Sequence, residues 1–474
     1  MNSNTVRPQV SPLGLEYVGH ALVNAGIPVE LLDLAFEPRW REALVQALSK
    51  SDPLAVGIAV RNTDDCCLAT GKSFMPWVSE LVGEVKRHTS APVILGGVGF
   101  SIFPGELIQV SGADMGIYGD GEDAATLLAE ALVEGGGMER IPNLVYRDER
   151  GIQFTFRSET NIRLLPLPLR RLVDNPRYQR EGAMVGIETK RGCPNVCLYC
   201  ADPVAKGRTT RLRPPETVVD EIEDLLAQGV SWYHLCDSEF NIPCEHAKSV
   251  CREIIRRRLA GRISWYTYCS PLPFDQELAD LMNRAGCTGV NFGVDALHDG
   301  QLGRLARDHR VKDLKKLVEC LQREGLNFIF DLLLGGPGET EKTVRTSIEM
   351  AQRLDLPLVG IALGVRVYPG TGMARLLEKG RLSDGMHPNS STSLWEPVFY
   401  LSPDLGEDPQ GLVHNLIGDD SRFMLLVSPE DEDSYNYVDD GPLSIAIEQG
   451  ARGAYWDILG RKRREDRHPP VAGT

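Results

Sequence analysis

The chain lacks any apolar run near the roughly 20 residues that cross a bilayer. Its opening, MNSNTVRPQVSPLG, has no apolar core behind a basic stretch. Neither a spanning helix nor a secretory leader is expected, and the cytoplasm is the expected compartment. Clustered basic charge is also scarce, with 51 Lys and Arg against 66 Asp and Glu and a net charge of −15. Gripping a phosphate backbone takes clustered cations, so nucleic acid is not expected as the main partner. The one dense basic run, Arg461-Lys462-Arg463-Arg464, reads as a solvated tail.

What is present is an ordinary globular composition, 42% hydrophobic and 25% charged, over 474 residues, enough for two domains. Residues 1–135 alternate short apolar strands (PVELLDL, PLAVGIAV, APVILGG, ADMGIYG) with helical patterns. That alternation predicts a doubly wound, Rossmann-like α/β domain with its ligand at the carboxyl ends of the strands. Its first helix begins almost at once, and only the short polar opening could supply a strand before it. Residues 136–182 read as a linker holding a small hairpin, NLVYRDERGIQFTF. Over 183–385 the strands MVGIETK, WYHLCD, ISWYTYC, GVNFGVD, NFIFDLLLGG and LVGIALGVRV alternate with helices. Six such units predict a partial (β/α)6 barrel of TIM type, with active residues where the strands end. Residues 386–474 form a C-terminal extension. Within it, 403–440 holds eleven acidic residues against one basic, which predicts a solvated or partly ordered segment.

Eleven cysteines in a reducing compartment are more often metal ligands or core residues than disulfides. Three have ligand spacing. Strand MVGIETK runs into RGCPNVCLYC, placing Cys193, Cys197 and Cys200 in one loop after a barrel strand. Soft thiolates suit an iron–sulfur cluster, and three ligands on a four-iron cubane leave one iron open for chemistry. A zinc knuckle would want a fourth Cys or His, and none follows at that spacing.

This Cys-x3-Cys-x2-Cys loop, with Tyr199 before its last cysteine, resembles the signature of the radical S-adenosylmethionine (SAM) superfamily. The likeness continues through Asp237-Ser238-Glu239, the strand GVNFGVD ending in Asp295, the turn Gly335-Gly336-Pro337-Gly338-Glu339-Thr340 and the later Tyr368-Pro369-Gly370-Thr371. It implies a [4Fe-4S] cluster whose open iron chelates SAM. Tyr199, Ser238, Glu239, Asp295 and Gly336 are its implied SAM contacts, and Glu239 pairs with the SAM ammonium. Asp295 stands where the superfamily more often has Glu.

Residues 11–135 resemble the cobalamin-binding domain that precedes many radical SAM cores. Leu13-Gly14-Leu15, Val29 to Asp33, Gly96-Gly97, Pro104 to Leu107, Asp114 and Gly119-Asp120-Gly121-Glu122 carry the match. Gly119 to Ala124 also fits a dinucleotide fingerprint formally, but it follows the last strand of its domain, not the first. The resemblance implies cobalamin contacts at Arg61, Asn62, Gly96, Gly97, Gly119, Gly121 and Glu122. Asp-x-His-x-x-Gly, the source of a lower axial histidine in one group of cobalamin proteins, is absent. His20 and His88 lack its flanking residues. Arg61, at the end of PLAVGIAV, is either a surface arginine or the group beneath the cobalt.

Together the two resemblances imply a cobalamin-dependent radical SAM C-methyltransferase acting on a small, heteroaromatic or carrier-bound intermediate of a natural-product pathway such as antibiotic biosynthesis. An external flavodoxin- or ferredoxin-type electron donor is implied, with no nucleic-acid or membrane partner. A ring-forming or rearranging enzyme with the same cofactors is the alternative. A non-catalytic binding protein would have lost the cluster cysteines.

Overall fold

A computed structural model describes residues 1–387, 393–426 and 441–467. In its first unit, strands β1 (Val56–Ala59), β2 (Val93–Gly96) and β3 (Met115–Ile117) pair in parallel. Beyond β1 the sheet continues as single bridges: Asn2 lies between Ala59 and Asp33, parallel to both. By chain position the order is therefore second, first, third, fourth, fifth, that of flavodoxin-like doubly wound sheets. The polar opening does supply the first strand, reduced to one residue. Its side chain holds it there, because Asn2 Nδ2 donates to Asp33 Oδ1 (2.9 Å) and to Tyr178 Oη (2.8 Å). PVELLDL is not the expected strand. Only Asp33 bridges, and its carboxylate then accepts from Ala35 N and starts a short 3-10 turn, Leu34–Phe36.

The hairpin expected in a linker belongs to this sheet. Strand β4 (Leu144–Asp148) pairs antiparallel with β3, and β5 (Gly151–Phe154) with β4. The chain then crosses to the second unit past a buried charge network. Arg170 bonds Glu16 of the first helix (Leu13–Asn24) and lies 3.2 Å from Glu221 of helix Pro215–Ala227, which also takes Arg213 at 2.6 Å.

The second unit is a parallel open barrel. Its strands run β6 (Val185–Ile187), β7 (Trp232–Leu235), β8 (Ser264–Cys269), β9 (Cys287–Asp295), β10 (Phe328–Leu334), β11 (Val359–Leu363) and β12 (Phe423–Leu426), neighbours in that order. The seventh strand falls within 403–440, the segment expected to be solvated or partly ordered. Asp408 caps helix Pro409–Ile417 by accepting from Gly411 N (2.8 Å), and the apolar run of β12 then adds to β11. Residues 427–440 lie outside the described residues.

The basic run near the end is not a solvated tail either, for it lies on helix Tyr455–Arg467 beneath the barrel. Trp456 packs edge-on against Tyr266, and a Cβ at Gly289 would sit 2.6 Å from its ring. Tyr266 Oη donates to Asp457 (2.6 Å), and Arg461 pairs with the same carboxylate at 3.3 Å. Trp456, Tyr266, Ile329, Leu358 and Met424 make the apolar floor of the barrel.

Candidate active site

Past β6, Lys190-Arg191 pairs antiparallel with Arg211-Leu212, closing the base of the loop that carries the three cysteines. Gly192 has φ +89°, and a Cβ there would lie 2.2 Å from the Thr209 carbonyl, so only glycine makes the entry turn. The loop is pinned to two other strand-end loops: Leu198 N donates to Leu305 O (3.0 Å) and Met373 N to Leu198 O (2.9 Å). Burial first, and then the charges of Asp202, Cys197 and Cys193, pushes the Cys200 thiol far up. Among the described residues no three His, Cys, Asp or Glu close around a single metal ion, as a mononuclear site would require. Arg307, missed from the sequence, donates from Nη1 to Cys197 Sγ at 2.9 Å.

Arg307 also organises the predicted SAM contacts. Its Nε lies 3.2 Å from Asp295, whose two oxygens accept from Tyr199 Oη at 2.9 and 2.8 Å. Asp295, left-handed at φ +66°, is thus spent on Tyr199 and Arg307. Ser238 Oγ donates to Asp202 (2.5 Å), and Asp237 ties β7 to β6 by accepting from Thr189 N (2.8 Å). Gly335 and Gly336 donate their N–H groups to Glu339 (2.7 and 3.1 Å), which folds their turn. Glu239 differs from all of these. Its Oε2 is buried with no partner, and burial pushes the carboxyl up to about 8, so it favours the neutral form until a cation meets it.

In the first unit, Arg61 is exposed beyond β1, with its Nη1 3.3 Å from Asn62 Oδ1. Its charge acts on His234 and Tyr268 of the second unit. Gly97, at φ +103°, follows β2, where a Cβ would meet the Val60 carbonyl at 2.6 Å; Gly96 ends that strand. Gly119 and Gly121 flank Asp120 after β3. Glu122 is buried and engaged by Arg191 at 2.9 Å, while Asp120 takes both Arg191 and Arg211. Its carboxylate is therefore a domain contact. A second clamp joins Asp64 to Arg366 (2.9 Å), and Tyr368 Oη touches Cys66 Sγ at 3.1 Å. The Tyr-Pro-Gly-Thr turn thus docks the two units. His88 pairs with Glu84 on helix Met75–His88, and His20 lies on the first helix, so neither sits at a strand end.

One layer above the floor, His234, Tyr268, Asn291 and Asp331 come from successive strands β7 to β10. His234 and Tyr268 meet edge to face at 5.1 Å. Tyr268 is 42% exposed although it stands inside the barrel, so a cavity reaches down to this layer. The signal for it was an Asp inside the apolar run FIFDLLL.

The chain matches a B12 binding domain over residues 2–129 and the radical SAM superfamily over 187–351. It is 31% identical to a tryptophan 2-C-methyltransferase of Streptomyces laurentii, over 96% of this chain and 94% of that protein. The structure of the methyltransferase TsrM from Kitasatospora setae with tryptophan and a SAM analogue superposes with a TM-score of 0.88, at 32% identity and 98% coverage of both chains. TsrM with cobalamin and a [4Fe-4S] cluster gives 0.86 at 30% identity, again with 98% coverage of both chains. Two matched domains in one chain and likeness along nearly its whole length place this protein in the cobalamin-dependent radical SAM methyltransferases, enzymes that use a [4Fe-4S] cluster, SAM and cobalamin.

Proposed function

We propose that the enzyme C-methylates a small heteroaromatic intermediate of a natural-product pathway, with an indole as the leading acceptor. The observation that carries this reading is the cavity between the two sets of strand ends, walled by Tyr268 and His234 and open at Tyr268. The indole comes from the relatives, one a tryptophan 2-C-methyltransferase and one bound to tryptophan.

Cys193, Cys197 and Cys200 hold the cluster, and the guanidinium of Arg307 beside Cys197 offsets thiolate charge. Glu239 receives the SAM ammonium, the cation its unpartnered oxygen lacks. The Gly336 turn, Ser238 and the Tyr199–Asp295 pair shape the same mouth. Arg61, Asn62, Gly96, Gly97, Gly119 and Gly121 line the cobalamin side, with Arg61 beneath the metal. A guanidinium has no lone pair to donate, so it excludes water there without acting as a ligand. The bound cofactors supply the methyl group and the one-electron chemistry, and the protein supplies position and dryness. An external flavodoxin- or ferredoxin-type protein feeds electrons, in the cytoplasm.

The test is anaerobic reconstitution with iron, sulfide and cobalamin, then incubation with SAM, reductant and a panel of indoles and pyrroles. Gain of a methyl group by mass spectrometry is expected on an indole. A fully loaded enzyme that methylates no member of the panel overturns the reading.

A further inference from the structure

Register puts four polar side chains on the inner face of the barrel. Tyr268 pairs with Asn291, Gly293 with Asp331, and Asp331 with Gly360. Gly360 clears the space beside the carboxylate, since a Cβ there would lie 2.3 Å from Asp331 Oδ1. The Asn291 side chain donates a hydrogen bond to Asp331, and the one charged side chain acting on that carboxylate is another acid, Asp295. Asn291, 5% exposed, has an Oδ1 with no partner. Asp331 therefore has one donor and no cation beside it, and Asn291 Oδ1 has no donor at all. Burial and the charge of Arg61 pull His234 down to about 4, so it is neutral.

An uncompensated carboxylate inside a barrel is costly unless a cation meets it. The complement of two acceptors is a group with several N–H donors and positive charge, which describes an ammonium. Beside it stand the edge-to-face rings of His234 and Tyr268, which suit a flat ring carried on the same molecule. We propose that Asp331 and Asn291 form the subsite that receives the ammonium group of an amine-bearing aromatic substrate, at the bottom of the shared cavity. This rests on the methyltransferase reading above and names the substrate class within it.

The test compares reconstituted wild type and Asp331→Asn, which keeps the shape and drops the charge. Two probes are used, tryptophan and its amine-free analogue indole-3-propionate. The variant is expected to bind tryptophan about tenfold more weakly or worse, with indole-3-propionate affinity unchanged. Its substrate-free form is expected to melt about 2 °C higher, because an unpaired buried charge has gone. A purely structural Asp331 would instead lower the melting temperature and weaken both probes alike, which overturns the proposal. Unchanged tryptophan affinity in the variant overturns it too. A wild type that ignores tryptophan, beside a variant that melts higher, overturns the indole reading and supports the subsite.

Discussion

Arg191 and Glu122 face each other at 2.9 Å across the two units, and Arg191 stands two residues before the first cluster cysteine. One guanidinium therefore joins the loop after β3 to the entrance of the cluster loop, with Asp120 and Glu188 as its other partners. Arg191→Ala strands Glu122 and Glu188 in a mostly buried place and leaves Asp120 to Arg211 alone, and breaking such a pair costs about 3–5 kcal/mol. The expected result is a lower unfolding temperature together with reduced iron content, although Arg191 is no cluster ligand. Full iron content and unchanged unfolding would show that the contact holds nothing.

Glu239 offers a cleaner separation of roles. Glu239→Gln is expected to weaken SAM binding about tenfold or more, measured by equilibrium binding, while iron content stays at the wild-type level. Replacing Cys193, Cys197 and Cys200 together with Ala should remove both. A glutamine variant that binds SAM normally would return Glu239 to a packing role.

Asp331 predicts a pH dependence with a definite sign. Burial first, and then the nearby Asp295, raises its carboxyl to about 6, against the donated hydrogen bond of Asn291. An ammonium binds the charged form, so affinity for an amine substrate rises with pH through about 6 and levels off above it. Its neighbours stay silent there. His234 titrates near 4, Tyr268 is held up at about 12, and Asp295 is paired with Arg307. Tryptophan affinity measured from about pH 5.5 to 8 should lose this slope in Asp331→Asn. A slope that persists would assign it to another group.

Arg61 is tested by spectroscopy. If Arg61 lies beneath the metal as proposed, electron paramagnetic resonance of the cob(II)alamin form should show no nitrogen splitting from an axial imidazole. Arg61→His should introduce that splitting, and a nitrogen-split wild type would remove Arg61 from its assigned place.

The features legible in the sequence are those made by a few consecutive residues. The turn into the cysteine loop and the other glycine turns announce themselves through residues that alone tolerate their backbone. Features built across long separations were hidden. Arg307 reaches Cys197 over 110 positions, and nothing around it marks it out. Asn2 becomes a strand only because Ala59 and Asp33 lie on either side. Strand β12 was masked by its surroundings, since a wide window over 403–440 averages its four apolar residues against eleven acids. The polar layer could have been found by asking which face of each barrel strand points inward. Alternation puts His234, Tyr268, Asn291 and Asp331 on one side.

The apolar floor also has a consequence in time. Tyr266 waits for Trp456, made 190 residues later, to cover it. During synthesis the barrel strands leave the ribosome with their lower opening bare, and at about 5–20 residues per second Trp456 follows Tyr266 by about 10–40 seconds. Iron–sulfur assembly at the upper rim can then meet the cysteine loop while the opposite end is still open. A nascent chain halted before residue 441 would present that greasy opening to chaperones, and it would age toward aggregation even with its cluster loop intact.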